Sequence, residues 1–174
     1  MDIYSSKGYI IDERFPDCKI HETAVIGDNV TMGKKNIILP YAVIGETGFI
    51  RNAEKSEGKV VIGDNNIIGC FTNIMVGKEG STIIGSDNLI MNHCNIGHNV
   101  EISHHVEVGV GTIIAGHAEI QEHVKIKSGC TIRNRIKIID NAIIGQGSNV
   151  VNSLDVEDSL YVGNPAKFVR RNKL

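Results

Sequence analysis

Aliphatic side chains recur at every sixth position along most of this chain. From Ile84 the steps land on Ile90, Ile96, Ile102, Val108, Ile114, Ile120, Ile126, Ile132, Ile138, Ile144, Val150, Val156 and Val162. An earlier block keeps a phase of its own through Ile20, Ile26, Met32, Ile38 and Ile44, and then Ile62, Ile68 and Ile74. Two residues ahead of the aliphatic stands something small or branched, as at Ala42, Thr72, Cys94, Val106, Ala118, Cys130 and Ser148. The residue behind it is often Gly, as at Gly45, Gly63, Gly97 and Gly109. A repeat of six reads as a short strand that buries one aliphatic and one small side chain, followed by a turn. Gly suits that turn because it tolerates positive φ and close backbone approach. Three strands and three turns close a triangular coil, so residues 18 apart stack on neighbouring coils at roughly the 4.8 Å strand spacing. Stacked Ile side chains then fill the interior.

Two stretches break the rhythm. Glu46 to Lys59 is polar and carries little of the repeat, and Val76 to Thr82 shifts its phase. Both read as loops thrown out from a corner, where function in a rigid solenoid usually sits. The predicted organisation is a lead-in over 1–19, a solenoid over 20–162 with loops at 46–59 and 76–82, and a cap over 163–174. The cap opens with a Pro turn and continues as a short basic segment with a possible helix.

Composition sharpens this picture. Ile (28) and Val (16) supply a quarter of the 174 residues, there is no Trp, and aromatic residues are 5%. Such a chain favours strands, and a slender prism has no room for indoles. Helix bundles are excluded. Charge is balanced, 18 Lys and Arg against 20 Asp and Glu, which argues against a general nucleic-acid binder. No apolar run approaches 18 residues and the N-terminus has no signal-like stretch, so a soluble cytoplasmic protein without membrane insertion is expected. Cys18, Cys70, Cys94 and Cys130 form no CxxC pair, and Cys94 and Cys130 fall at inward positions, where buried thiols are expected.

These features resemble the hexapeptide-repeat acyltransferases, and the resemblance covers roughly Ile20 to Lys167. It implies an all-β fold, a left-handed parallel β-helix, and a homotrimer with sites between subunits. Two branches of the family match different parts. Ile84 to Met91, Ile96-Gly97-His98 and Ala115-Gly116-His117, together with the Gly45-Glu46 loop entrance and Val61 to Asn66, are similar to the UDP-N-acetylglucosamine O-acyltransferases. The turn Gly163-Asn164-Pro165-Ala166-Lys167 is similar to acetyl-CoA-dependent sugar acetyltransferases. The stretch His98-Asn99-Val100-Glu101-Ile102 looks like a motif of nucleotide-sugar acetyltransferases. Both branches place the catalytic His at His98.

Acyl transfer from a thioester needs a base, an oxyanion donor and a positioned donor. With an ordinary pKa near 6.5, His is neutral at cytoplasmic pH and can act as the base, an effect worth roughly 10²–10⁴-fold. His98 is the candidate base. Gly116, 18 residues on, stacks on the next coil, and its N–H is the candidate oxyanion donor. His117, Asn92 and Glu46 are candidate substrate contacts. Gly116, Asn134, Lys167 and Arg170 are candidate cofactor contacts, with Lys167, Arg170 and Arg171 forming a cationic cluster suited to the phosphates of coenzyme A. A partner for the other ring nitrogen of His98 is expected from Glu46, Glu54, Glu57 or a backbone carbonyl. His21, His93 and His104 are expected on the surface.

The reading is an acetyl-CoA-dependent acetyltransferase acting on a nucleotide-linked amino sugar, without a metal. Three alternatives stand beside it. One is an acyl-carrier-protein-dependent acyltransferase on a UDP-sugar. Another is a γ-carbonic-anhydrase-like metalloenzyme, for which His105 and His123 are in register. The third is a non-catalytic scaffold.

Overall fold

The computed structural model describes residues 8–47 and 57–172; Glu54 and the rest of 48–56 lie outside them. The chain winds into a triangular prism with three parallel sheets, here called sheets 1, 2 and 3 in the order the chain visits them. They have ten, seven and six strands. Leu89–Ile90 lies in sheet 1, Asn95–Ile96 in sheet 2 and Glu101–Ile102 in sheet 3, after which Glu107–Val108 returns to sheet 1. From there the register is the expected 18: Ile90 pairs with Val108 and Val108 with Ile126. The two lower coils are longer, since Ile38 pairs with Ile68 and Ile68 with Ile90. The extra residues of both leave at one place, the corner between sheets 2 and 3. Strands run on to Thr47 and Val76 and restart at Lys59 and Ser81, so the second loop narrows to 77–80.

The sixth-residue aliphatics point inward. Ile38, Ile44, Ile68, Ile74, Ile90, Ile96, Ile114, Ile132 and Ile144 are fully buried, as are Cys94 and Cys130, whose thiols burial pushes up. At the corner between sheets 3 and 1 the inward position is taken by Asn36, Asn66 and Asn88. Each carbonyl oxygen accepts from the backbone N–H of the next rung, Asn66, Asn88 and Val106 in turn, at 2.7–2.9 Å. Buried amides survive there because every rung satisfies the one above.

The turns work differently from the sequence expectation. Of the glycines that follow an aliphatic, Gly45 has positive φ, whereas Gly63, Gly69, Gly97 and Gly109 do not. Their role is close approach: a Cβ on Gly97 would stand 2.7 Å from the amide nitrogen of Gly116 on the next coil. Positive φ falls two residues further on, at Phe71, His93, Asn99, His105, Gly111 and His117 among others.

The last coil also departs from expectation. Ile138 bridges to Leu154 and Ile144 pairs with Tyr161, so Leu154 and Tyr161 take the inward places that the six-step assigned to Val156 and Val162. Val162 is exposed. The shortened coil lets the larger Tyr161 ring close the open end of the core, where it meets Phe168 edge-on. The basic segment is no helix. Lys167–Arg171 runs antiparallel to Ser159–Val162, because the last strand of sheet 1 offers unpaired backbone groups and Phe168-Val169 suit a strand. No helix of the described residues is long and apolar enough to cross a membrane.

Candidate active site

The corner between sheets 2 and 3 stacks His98 and Asn99 on one coil, Gly116 and His117 on the next, and Asn134 and Arg135 on the one after. The backbone N–H of His117 donates to the carbonyl of His98 at 3.0 Å, and that of Arg135 to Gly116 at 3.1 Å. The rings of His98 and His117 meet edge-on, with centroids 5.0 Å apart and planes at 88°. A Cβ on Gly116 would lie 2.8 Å from Nε2 of His98, so glycine at this rung is what gives the imidazole its room. The Gly116 N–H has no hydrogen-bond partner among the described residues.

The partner of the other ring nitrogen is Asn99, which the sequence reading missed by looking for a carboxylate or a backbone carbonyl. Nδ1 of His98 lies 2.9 Å from Oδ1 of Asn99. The Asn99 amide is itself held: Nδ2 donates to the Glu79 carbonyl at 2.8 Å, and its backbone N–H donates to Oγ1 of Thr82 at 2.8 Å. Thr82 donates in turn to the Met75 carbonyl. With Nδ2 committed as donor, Oδ1 must accept, so the His98 proton sits on Nδ1 and Nε2 carries the lone pair. Loop 77–80 makes this possible, since a Cβ on Gly77 or Gly80 would strike the Asn99 side chain. The signal available in the sequence was a phase-shifting loop with two glycines immediately below the histidine.

His117 is shifted below its ordinary pKa by burial first, then by the charges of Arg135 and His98.

The other expected residues are distributed. Glu46 is exposed at the same corner, on the Val43–Thr47 strand two coils below His98. Asn134 is exposed two coils above. Asn92 is at the corner between sheets 1 and 2, where its Oδ1 accepts from the Cys70 N–H. Lys167 and Arg170 are exposed on the strand that caps sheet 1, across the prism from His98. Arg133 and Arg135, not singled out from the sequence, stand directly above the His98–His117 pair. His105 and His123 stack in parallel at 4.8 Å. Among the described residues no three His, Cys, Asp or Glu side chains gather to hold a metal ion.

No family model matches the chain. Its six-residue rungs and parallel register define a parallel β-solenoid, and its likeness to a structure of LpxA, a UDP-N-acetylglucosamine acyltransferase from Bacteroides fragilis, makes it a left-handed β-helix: the two superpose with a TM-score of 0.82 at 25% identity, covering 88% of this chain and 60% of that one. The chain's homologues are UDP-N-acetylglucosamine acyltransferases and related hexapeptide-repeat enzymes. It is 30% identical over 102 residues to the acyl-[acyl-carrier-protein]–UDP-N-acetylglucosamine O-acyltransferase of Rickettsia bellii, covering 50% of this chain and 36% of that protein. It is 35% identical over 109 residues to the UDP-3-O-acylglucosamine N-acyltransferase of Coxiella burnetii, covering 58% and 30%. The chain thus spans about a third of the length of these relatives.

Proposed function

We propose that the chain is an acyltransferase that moves an acyl group from a thioester to a nucleotide-linked sugar, with His98 as the base. The observation that carries this is the geometry at one corner: Nε2 of an imidazole fixed by Asn99, facing the space that Gly116 leaves empty. His98 takes the proton of the acceptor hydroxyl or amine as it attacks the thioester carbonyl. The free N–H of Gly116 receives the oxyanion that forms, and collapse expels the thiolate, which takes that proton back from His98 and leaves as the thiol. Arg133 and Arg135 supply positive charge for the substrate's phosphates.

The relatives' names support a carrier-protein thioester as donor and a UDP-sugar as acceptor. Acetyl-CoA with an amino sugar is the second reading, favoured by the Gly163 to Lys167 turn, which is held over the last strand of sheet 2 by Ala166 N–H to the Asn149 carbonyl and Asn149 Nδ2 to Asn164 Oδ1. A trimer is proposed on surface chemistry. The outward positions of sheet 2 from Asn73 upward are Asn95, Ile113, Thr131 and Asn149, all uncharged, whereas sheets 1 and 3 carry the ion pairs Lys125–Glu107 and Lys137–Glu119. Sheet 2 is therefore the face that loses least on leaving water.

A thiol-release assay with acetyl-CoA and with acyl carrier protein thioesters, against UDP- and dTDP-linked sugars, tests the reading. Thiol release that depends on both substrates and falls at least 100-fold in His98→Ala is expected. Full turnover by that variant overturns it, and light scattering reports the trimer.

A further inference from the structure

The corner between sheets 1 and 2 carries a feature the proposed mechanism does not use. Tyr41, Phe71 and His93 occupy the same place on three successive coils, as the N–H bonds from Phe71 to Pro40 and from His93 to Cys70 show. Their rings are stacked, Tyr41 on Phe71 at 4.9 Å and 13°, Phe71 on His93 at 5.1 Å and 4°. All three have positive φ, and Tyr41 and Phe71 are each 52% exposed. Every corner has a residue with positive φ at this place, but the other two corners fill it from His98 onward with Asn99, His117, Arg135, His105, His123 and Asn141, which are polar. A bulky ring with positive φ is unusual, and here two of them are left half in water.

The ladder then stops. Above His93 the same place is Gly111, Gly129 and Gly147, joined rung to rung by N–H bonds to Asn92, Val110 and Ser128. A Cβ on any of the three would meet nothing within 4 Å. The upper face of the His93 ring therefore opens onto an unfilled column. It is about three strand spacings tall, on the order of 14 Å, which suits a base, a ribose and two phosphates. From Met91 to Ser148 the residues of this corner include no carboxylate. Lys127 is exposed on it, Lys167 is exposed where the capping strand reaches it, and neither ammonium has an ion-pair partner among the described residues.

We propose that this corner is a nucleotide platform: the base stacks on His93 over Gly111, and the diphosphate runs up the glycine column toward Lys127 and Lys167. This deepens the proposed acyl transfer and rests on it for the source of the nucleotide, since an acyl-CoA and a UDP-sugar both carry a base and a diphosphate. It also gives Lys167, which lies away from His98, a place in a site. In a threefold assembly with sheet 2 at the axis, this corner of one copy faces the His98 corner of the next, so the platform would serve a neighbour's base.

Binding of UDP and of coenzyme A to the full chain, followed by saturation-transfer NMR on the base protons and by calorimetry, tests the platform. The informative variants are His93→Ala, which removes the stacking face, and Gly111→His, which fills the space with a ring at a φ that histidine already adopts on this prism. Each is expected to weaken binding about tenfold or more, in line with base–aromatic stacking, while His105→Ala leaves it unchanged. Loss for UDP alone assigns the acceptor, and loss for coenzyme A alone assigns the donor. His98→Ala must keep the binding while losing turnover, which separates failure of the platform from failure of the acyl-transfer reading. Undiminished binding by His93→Ala, no binding of either probe to the wild type, or a change in oligomer mass in the ladder variants overturns the proposal.

Discussion

Two histidine pairs sit on different corners of the same prism and have different geometry. His105 and His123 are 18 residues apart, fill equivalent places on consecutive coils, and lie parallel at 4.8 Å. His98 and His117 are 19 apart, occupy successive places in the turn, and meet edge-on at 5.0 Å. The difference comes from Gly116. At the first corner the place before His123 holds Glu122 and the place before His105 holds His104, whose Nδ1 already accepts from the Ser86 N–H at 3.0 Å. At the second, glycine empties the place above His98, and His117 leans over it. Register alone stacks rings; one residue out of register, with a glycine beside it, leaves a ring nitrogen free to react.

The largest effect expected from this comparison is on turnover. His98→Ala should reduce kcat by about 10²-fold or more, while His105→Ala or His123→Ala changes it little; steady-state kinetics on the three variants decide it. Next comes Gly116→Ala. Its new Cβ has no room beside Nε2 of His98, and a base displaced by about 1 Å loses on the order of 100-fold. The melting temperature should hardly move, since Gly116 does not have positive φ.

Asn99→Ala should cost less, about tenfold, because the ring keeps its place but not its tautomer. Asn99→Asp should restore rate and move the acid limb of the pH–rate profile upward, because a carboxylate favours the imidazolium that the neutral amide does not. An unchanged profile in Asn99→Asp would remove the orienting role.

The smallest effect concerns His117. Its pKa lies below the ordinary value through burial and then the Arg135 and His98 charges. The folded state therefore binds that proton less readily than the unfolded chain. The associated stability is complete above the unfolded pKa near 6.5 and is lost as pH falls through the folded one. Arg135→Gln should bring the His117 titration part of the way back toward its ordinary range by NMR.

Much of this architecture was legible because burial in a stacked coil is decided one rung at a time. Ile96, Ile114 and Ile132 declare themselves by spacing, and His98 and Gly116 by falling 18 apart. The interior amides went unread: Asn66 and Asn88 stand two residues ahead of Ile68 and Ile90, at the inward place, but spacing does not show that their carbonyls accept from the rung above. Asn99 escaped for a related reason, since its role depends on loop 77–80 holding its amide from below. The His93 ladder was hidden because its members lie 30 and 22 residues apart, across the two coils that the loops lengthen. In the tail, one missing residue put Tyr161 rather than Val162 inside.

Sheet 1 begins and finishes among the described residues with a reversed strand, Tyr9–Ile10 at one end and Lys167–Arg171 at the other. Every rung between them offers its neighbour a ladder that any further coil could extend, including one from a second molecule. A strand running the opposite way turns the last ladder of that sheet antiparallel and covers the edge of the coil beneath it. Removing Lys167–Arg171 should therefore bare the Ser159–Val162 edge and raise the tendency to associate, read by light scattering.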